Sequence, residues 1–527
     1  MFYSGIPATK RKLIIAIALS AVILVVSLFT SSSMGQNLPR AKVDGGTIEG
    51  TIEGGIAVYK GIPFAAPPVG ELRWKAPQPV VPWDGVRKCD AFGPSPVQGK
   101  PVPFMFWTKE FLIPAEPISE DCLYLNVWAP AKVSDEKLPV IVYIYGGGFR
   151  SGGSGCAIYD GTSMASKGVV FVSINYRVGL LGFLAHPGLT AESGYGSSGN
   201  YGILDMIAAL KWVNRNIVQF GGDSGNVTIA GQSAGAFGVN YLTVSPLAGG
   251  LFQRAIAESG AAFLSSAVSP PIDLKEAEQL GVEFAENLGA ATLDELRALP
   301  AESVIRARGG LNAPFADGYV IPSSVMETYE KGKQNDVPVI IGWNRDDRML
   351  PSTIPAETFR EQIQKRFGEH ANDFFAVYPA GTEKESARSQ FDMSRDQIFG
   401  VQIYTWARMQ ARTGKSGVWV YNFNRELPAY TPETAYGAFH TGEVVYAYDN
   451  LHTVDRPWEA ADQRIASQMS AYWVNFAKRG DPNGPGLPEW DPFDLQGEMV
   501  MQLDTAMVEQ PLPSKAKLEF WEHYYTR

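Results

Sequence analysis

Short apolar runs alternate with amphipathic segments along most of this chain. Runs rich in β-branched and aromatic residues predict buried strands at residues 138–145, 169–175, 227–230, 337–342 and 418–423. Apolar residues recur at helical spacing over residues 204–216, and the regions 270–310 and 355–415 are mostly helical in pattern. This alternation predicts a parallel or mixed sheet with helices on both faces, and the two long helical regions would form a cap or outer layer.

The N-terminal segment differs from the rest of the chain. Lys10, Arg11 and Lys12 precede an uncharged apolar run over residues 13–29, and small residues follow up to position 35. A basic start, an apolar middle and a small-residue exit predict a signal peptide over residues 1–35 and export to the periplasm or medium. The alternative is an uncleaved membrane anchor, since the apolar run approaches the length of a bilayer span.

Composition supports one large domain after this segment. Hydrophobic residues make up 45% of the chain, which is enough for a sizeable core, and no linker or charge block interrupts residues 43–527. The net charge of −10 makes the protein a poor ligand for nucleic acid or anionic lipid. The five histidines are scattered and no Cys-x-x-Cys occurs, so the pattern of a structural zinc site is missing from the sequence.

The most informative motif is Gly231-Gln232-Ser233-Ala234-Gly235, which directly follows the predicted strand 227–230. Glycines on both sides remove the Cβ atoms that would clash in a sharp strand-to-helix turn, and this leaves the hydroxyl of Ser233 exposed. The pattern therefore predicts a nucleophile elbow. The alternative interpretation of so short a pattern is an ordinary flexible turn.

A serine nucleophile needs donors for the oxyanion that forms when it attacks a carbonyl. Three glycines follow the predicted strand 138–145, and their backbone N–H groups are free of side chains. We assign the donors to Gly147 and Gly148, with the N–H of Ala234 as the third. The alternatives are a merely flexible loop and a phosphate-binding loop, and against the second no Gly-Lys-Ser/Thr follows the glycines.

The serine also needs a base and a carboxylate that orients the base. His440 lies between glycines in a loop after the strand 418–423, a placement suited to a base. The rival is His186, whereas His370, His452 and His523 lie in charged surroundings and are expected to be solvated. Two adjacent carboxylates, Asp346 and Asp347, follow the strand 337–342, and the residue pattern leaves both open. The resulting order of serine, acid and histidine is that of the α/β-hydrolase fold.

From about residue 43 to the C-terminus the chain resembles the type B carboxylesterases, the carboxylesterase/cholinesterase family. Beyond the elbow and the glycine loop, the matching segments are GIPFA (61–65), PVG (68–70), LRW (72–74), SEDCLYLNV (119–127), NYRVG (175–179), GFL (182–184), GNYGILD (199–205) and FGGD (220–223). The resemblance implies an α/β-hydrolase fold over residues 43–527, with a central, mostly parallel twisted sheet and helical insertions that cap an active-site gorge.

The resemblance also implies roles for the site residues. It makes Ser233 the nucleophile, His440 the general base and acid, and Asp347 the orienting acid, where the family commonly has Glu. Asp is one methylene shorter, so the backbone must approach His440 more closely or Asp346 must serve instead. Arg348 replaces the glycine that usually follows the acid.

Further family positions carry expectations of their own. Gln232 stands where many members have Glu, and Ser259 matches a serine near the catalytic histidine, although simple packing explains it equally well. Cys89 and Cys122 resemble the family's N-terminal disulfide, which leaves Cys156 free; the alternative is three free thiols, since sequence alone does not show that two cysteines are close.

Together these features predict an exported serine hydrolase that cleaves small-molecule carboxylic esters through an acyl-enzyme, with no cofactor or metal. Aromatic residues near the expected pocket predict an apolar acyl or alcohol site or belong to the core: Phe104, Phe106, Trp107, Phe149, Phe315 and Phe439. One alternative is a catalytically inactive binding protein of the same fold. The other is a related lipase or amidase activity on the same triad.

Overall fold

The computed structural model describes residues 38–131, 137–266 and 269–526. Its strands are β1 (Arg40–Val43), β2 (Gly46–Glu49), β3 (Thr51–Glu53), β4 (Ile56–Pro63), β5 (Val86–Lys88), β6 (Tyr124–Pro130), β7 (Leu138–Ile144), β8 (Val170–Ile174), β9 (Gly222–Gln232), β10 (Arg254–Glu258), β11 (Val339–Asn344), β12 (Val418–Phe423), β13 (Met499–Leu503) and β14 (Val508–Pro511). Five of them contain or overlap the five strands predicted from the apolar runs.

Helices occupy the segments between the strands. They are α1 (Thr162–Ser166), α2 (Gly179–Phe183), α3 (Pro187–Glu192), α4 (Tyr201–Asn216), α5 (Ala234–Val244), α6 (Leu274–Asn287), α7 (Leu293–Ala298), α8 (Ala301–Arg306), α9 (Val325–Glu330), α10 (Ala356–Phe367), α11 (Ala371–Val377), α12 (Glu383–Arg395), α13 (Val401–Thr413), α14 (Val444–Ala447), α15 (Ala460–Arg479) and α16 (Lys515–Thr526). The predicted helix 204–216 is α4, and the two predicted helical regions hold α6 to α8 and α10 to α13.

Eleven strands form the main sheet, in the order β14-β13-β12-β11-β10-β9-β7-β8-β6-β4-β3. The seven strands from β13 to β8 pair in parallel, whereas β14 at one edge and β6, β4 and β3 at the other pair antiparallel. The predicted mostly parallel sheet with flanking helices is therefore confirmed. A separate small sheet has the order β1-β2-β5.

The central strands read as continuous apolar runs because helices cover both faces of the sheet. All five residues of β8 are buried, and Val140, Ile141 and Val142 of β7 have no exposed surface. The carboxyl ends of β7, β9, β10, β11 and β12 lie along one edge, as parallel pairing requires. The loops that leave this edge carry the predicted site residues.

Capping boxes explain where several helices of the two helical regions begin. Asp273 with Glu276, Thr292 with Glu295 and Thr382 with Glu385 each exchange side-chain and backbone hydrogen bonds at a helix start. Between α12 and α13 the chain forms one π-helical turn, Asp396–Gly400. Phe399 of this turn packs against His440.

The chain from Arg40 onward forms one compact unit. The predicted signal peptide or anchor at residues 1–35 lies outside the described residues. Among the residues that the structure describes, no helix is both apolar enough and long enough to cross a membrane.

The cysteines correct one expectation, because Cys89, Cys122 and Cys156 are all free and buried. The backbone of Cys89 donates to Glu49 O at 2.7 Å and accepts from Lys60 N at 2.8 Å, which fixes it between β2 and β4. Cys122 instead lines a small cavity with Arg177. A disulfide needs two closely opposed Cβ atoms, and these two cysteines lie in different surroundings, so the expected pair is not formed.

Candidate active site

The strand-to-helix turn at Ser233 has the geometry of a nucleophile elbow. Strand β9 ends at Gln232, helix α5 begins at Ala234, and Ser233 between them has φ 57° and ψ −126°, a strained conformation for a residue other than glycine. The flanking glycines permit this turn: a Cβ on Gly231 would lie 2.6 Å from Gly235 C, and one on Gly235 would lie 2.0 Å from Ile144 O. The backbone N–H of Ser233 donates to the carbonyl of Glu258 on β10 at 2.8 Å.

The glycine loop that follows β7 packs directly against this elbow. A Cβ on Gly146 would lie 2.9 Å from Ser233 Cβ, and the positive φ angles of Gly147 (114°) and Gly148 (63°) turn the backbone there. Within the described chain, the N–H groups of Gly147 and Gly148 donate to no protein acceptor. Two free backbone donors beside a strained serine are what an anion at the serine would require.

His440 and Asp347 form a buried pair. Asp347 Oδ1 lies 2.5 Å from His440 Nδ1, and the two side chains are 0% and 1% exposed. The other carboxylate oxygen of Asp347 accepts the backbone N–H of Asn344 at 3.0 Å. Asp347 can therefore hold His440 in the tautomer that carries its proton on Nδ1, and Nε2 is then left to act as a base.

The neighbouring Asp346 makes a different set of contacts. Its Oδ2 accepts the backbone N–H of Ala438 at 3.0 Å, and its own N–H donates to Ala438 O at 3.1 Å. Arg345 donates to the same carboxylate oxygen at 2.7 Å. Asp346 thus fixes the loop that carries His440, whereas Asp347 contacts the imidazole itself.

Three side chains surround the imidazole. Phe399 of the π-helical turn stacks on it with ring centroids 4.5 Å apart, and Trp107 meets it edge-on at 6.2 Å. The side-chain nitrogen of Gln232 lies 3.3 Å from His440 Nε2, which brings the ring next to the elbow. In the described parts of the chain Ser233 Oγ makes no hydrogen bond. We expect the hydrogen bond from Ser233 Oγ to His440 Nε2 to form as substrate binds.

Two of the other histidines make contacts outside the triad. His186 caps α3 by accepting the N–H of Gly188 at 3.0 Å, and His370 is an exposed residue beside Asp373. The aromatic candidates Phe106, Phe149, Phe315 and Phe439 are buried, while Phe104 is exposed. Of the six aromatics proposed from sequence, Trp107 is the one for which a ring contact with His440 is observed.

Ser259 directly follows β10, beside the elbow. It has φ 57°, its N–H donates to Gly342 O at 2.8 Å, and its hydroxyl is buried without a hydrogen-bond partner in the described residues. A Cβ on the next residue, Gly260, would lie 2.6 Å from Ser233 O. This close packing indicates that the segment supports the backbone of the elbow.

Two buried carboxyl groups near the triad, those of Glu443 and Glu258, were not identified from the sequence. The side-chain amide of Asn344 donates to Glu443 and to Phe439 O, so Asn344 connects Glu443 to Asp347. Burial, together with the charges of Asp347 and Glu258, holds the pKa of Glu443 well above its ordinary value. No sequence pattern marks this residue except its position three residues after His440.

The second of these groups is Glu258, the last residue of β10. Its carboxyl oxygen accepts from Trp473 Nε1 at 2.8 Å and from the hydroxyl of Tyr448 at 3.1 Å. Burial raises the pKa of Glu258 to about 8. With its pKa near 8, Glu258 is largely protonated at neutral pH, which spares the triad the repulsion of a further buried charge.

The described residues contain no group of three His, Cys, Asp or Glu side chains that could hold a metal ion. What the site does bring together is a strained serine, free backbone donors and a buried histidine–carboxylate pair. This combination suits attack on a carbonyl carbon by a serine hydroxyl.

Comparisons with known proteins agree with this geometry. Residues 37–521 match the model of the carboxylesterase family. The chain is 36% identical to a fumonisin B1 esterase of Sphingopyxis macrogoltabida over 86% of this chain and 84% of that protein. It is 33% identical to the para-nitrobenzyl esterase of Bacillus subtilis (strain 168) over 90% of this chain and 96% of that protein.

Solved structures show the same likeness. A thermophilic PNB esterase superposes with a TM-score of 0.79 at 30% identity, covering 92% of this chain and 99% of that one. A second PNB esterase gives 0.77 at 31% identity, with 91% and 99% covered. These matches confirm the α/β-hydrolase fold. The chain belongs to the carboxylesterase family and is a carboxylic-ester hydrolase.

Proposed function

We propose that the protein hydrolyses small-molecule carboxylic esters through an acyl-enzyme on Ser233, with His440 as general base and acid and Asp347 as the orienting acid. The observation that carries this proposal is the 2.5 Å contact between Asp347 Oδ1 and His440 Nδ1 in a fully buried pair beside the elbow. A buried carboxylate at this distance favours the tautomer that the base needs and stabilises the imidazolium that forms.

In the acylation half-reaction, Ser233 Oγ attacks the carbonyl carbon of the ester and its proton passes to His440 Nε2. The carbonyl oxygen becomes an oxyanion, which the N–H groups of Gly147, Gly148 and Ala234 receive. His440 then protonates the leaving alcohol as the tetrahedral intermediate collapses. The side-chain nitrogen of Gln232 lies 3.3 Å from Nε2 and 3.4 Å from Nδ1, so Gln232 packs against the imidazole.

In the deacylation half-reaction, water takes the place of the alcohol. His440 removes a proton from this water, and the resulting oxygen nucleophile attacks the acyl carbon under the same backbone donors. Collapse releases the carboxylic acid and returns the proton to Ser233. Phe399 and Trp107 exclude bulk water from two sides of the imidazole, which strengthens its interaction with Asp347.

The mechanism is tested by Ser233→Ala, measured on p-nitrophenyl butyrate. We expect kcat to fall by about 10⁴-fold or more, because no other nucleophile replaces the serine. Ser224→Ala on the same strand β9 is the matched control and should keep wild-type kinetics. Wild-type activity in the Ser233→Ala protein, with its fold verified by circular dichroism, would contradict the proposal.

Export through residues 1–35 is a separate part of this proposal. Its support is the sequence pattern of a basic start, an apolar run and a small-residue exit. Intact-mass measurement of the full chain produced in bacteria distinguishes the possibilities. A mature protein in the periplasm or medium that begins near residue 36 supports cleavage, whereas an intact N-terminus in the membrane fraction indicates an anchor.

A further inference from the structure

A cavity of about 300 Å³ is lined by the segments that follow β11 and β12 and by helix α12. Its walls carry four arginines, Arg345, Arg348, Arg388 and Arg395, and three carboxylates, Asp346, Asp392 and Glu426. A cavity of this size accommodates a small organic molecule. The lining therefore carries one more cation than anions.

Three of the four arginines are held by carboxylates, which are the three of the cavity walls and Asp396, the residue after Arg395. Arg345 donates to Asp346 at 2.7 Å and to Glu426 at 2.6 Å. Arg388 lies 3.0 Å from Asp392, and Arg395 lies 3.1 Å from Asp392 and 2.7 Å from Asp396. Each of these guanidinium groups is therefore already held by an anion of the protein.

Arg348 is the one arginine of the cavity walls that has no carboxylate partner among the described residues. Its guanidinium makes no hydrogen bond or ion pair in them and lies 3.9 Å above the ring centroid of Phe391. Burial lowers its pKa from the ordinary value although the nearby charge of Asp346 acts in the opposite direction, so the group has lost part of its water without a carboxylate in direct contact. A planar, half-buried guanidinium with free donors is the side chain best suited to bind a carboxylate in a bidentate way.

The cavity shares its walls with the segments that hold the catalytic groups. Arg348 follows Asp347 directly, at the position where the resembling family has glycine, and Tyr436 and Gly437 line the cavity just before His440 in the chain. Asp346 joins the two segments through its hydrogen bonds to Ala438. An anion in the cavity would thus lie one residue from the orienting acid.

We propose that this cavity binds a carboxylate through the guanidinium of Arg348. The carboxylate belongs either to the substrate itself, as the free acid group of a half-ester, or to a separate organic anion from solution. The first source rests on the proposed function of Ser233, whereas binding of a free anion does not depend on it. In both cases one carboxylate group is bound, since Arg348 is the one cation of the described lining without an anionic partner in contact.

The binding arm uses adipate as the probe and isothermal titration calorimetry as the measurement. Adipate should bind the wild-type protein and the Ser233→Ala protein alike, and Arg348→Gln should raise its Kd by about tenfold or more, since a charge-assisted hydrogen bond is lost. Arg348→Lys keeps the charge without the planar fork and should lie between the two. Arg308→Gln removes an exposed, unpaired arginine outside the cavity and serves as the matched control.

The kinetic arm compares monomethyl adipate with methyl hexanoate, two esters of equal acyl length of which one ends in a carboxylate. If the substrate supplies the carboxylate, Arg348→Gln lowers kcat/KM for the half-ester at least tenfold more than for the neutral ester. If a separate anion is the ligand, adipate binding depends on Arg348 but the ratio of the two kcat/KM values does not change.

The proposal is overturned if adipate does not bind the wild-type protein, or if Arg348→Gln changes neither its Kd nor the half-ester preference while thermal unfolding shows an intact fold. A loss of turnover in Ser233→Ala together with unchanged adipate binding separates the two proposals. The proposal is also overturned if adipate still binds the Arg348→Gln protein but no longer binds the Arg388→Gln protein, because Arg388 would then be the arginine that holds the carboxylate.

Discussion

The adjacent carboxylates Asp346 and Asp347 have different roles because successive side chains at the end of a strand point in different directions. Asp347 turns inward to His440 Nδ1, and Asp346 turns toward Arg345 and the backbone of Ala438. The sequence predicts that an acid follows β11, but two neighbouring aspartates satisfy that pattern equally. Only the direction of each side chain separates them, and that direction depends on how the loop packs against the histidine loop.

Substitution of each aspartate by asparagine tests this division. Asp347→Asn would present an amide N–H to His440 Nδ1 and favour the wrong tautomer, so we expect kcat on p-nitrophenyl butyrate to fall by about 10⁴-fold with little change in stability. Asp346→Asn should keep kcat within about tenfold. It should instead lower the free energy of unfolding by about 1 to 2 kcal/mol, because one of the two charged partners of Arg345 is lost.

Steady-state kinetics and urea unfolding of both variants decide between the two residues. Glu426→Asn is the matched control, since this exposed side chain also binds Arg345 but does not contact the histidine loop. A larger loss of kcat in Asp346→Asn than in Asp347→Asn would show that Asp346, and not Asp347, orients His440.

The elements around the site differ in how well the sequence predicts them. The apolar centre of β9 was predicted as residues 227–230, but the strand runs over Gly222–Gln232. Its polar and glycine-rich N-terminal part has low strand propensity and becomes a strand because the sheet supplies neighbours: Leu138 pairs with Gly222. Tertiary pairing thus lengthens an element beyond its local signal.

The π-helical turn Asp396–Gly400 is a second element that local patterns do not predict. Residues 355–415 read as helix, which is right in type, but the wider turn changes which side chains face the site. It directs Phe399 onto the imidazole of His440. Because such a turn is stabilised by long-range packing, its position follows from the fold and not from helix propensity.

The elbow depends on a close approach between α5 and β7, and Gly235 is the residue at that contact. A Cβ at Gly235 would lie 2.0 Å from Ile144 O and 2.8 Å from Tyr145 O, which are backbone atoms that cannot turn aside. We expect Gly235→Ala to lower the free energy of unfolding by about 3 kcal/mol or more. Activity should also fall, since relief of the clash displaces the glycine loop that follows β7.

Gly225→Ala is the matched control for this prediction. Gly225 is exposed on the same strand as the elbow, and its Cβ would meet only Asp223 Oδ1, at 3.4 Å. Urea unfolding and ester hydrolysis should therefore stay close to wild type. If Gly235→Ala is as stable and active as Gly225→Ala, the close approach between α5 and β7 is not required for the elbow.

At the scale of the whole molecule, the large core shapes the acid–base behaviour of the protein. Trp473 and Tyr448 enclose the carboxyl group of Glu258, and no cation among the described residues pairs with it. Composition alone predicts a core of this size. It does not predict which carboxyl groups the core encloses, because burial depends on the packing of α15 and of the segment after α14 against β10.

The raised pKa of Glu258 makes global stability depend on pH. In the unfolded chain this group releases its proton near its ordinary value of 4.5, whereas in the folded protein it keeps the proton up to about pH 8. Between these values the folded state binds more protons, so the free energy of unfolding falls as the pH rises. Below pH 4.5 Glu258 causes no such loss of folding stability, and above pH 8 the loss has reached its full size.

Glu258→Gln keeps the hydrogen-bond acceptor for Trp473 and Tyr448 but cannot ionise, so it should remove this loss. Between pH 5 and pH 8.5 we expect the wild-type free energy of unfolding to fall by about 3 kcal/mol more than that of the variant. Urea unfolding at a series of pH values measures this difference. Glu426→Gln, at an exposed site, should follow the wild-type curve. Parallel curves for wild type and Glu258→Gln would show that Glu258 ionises in the folded core without penalty, and the protonated state assigned to it beside the triad would then be wrong.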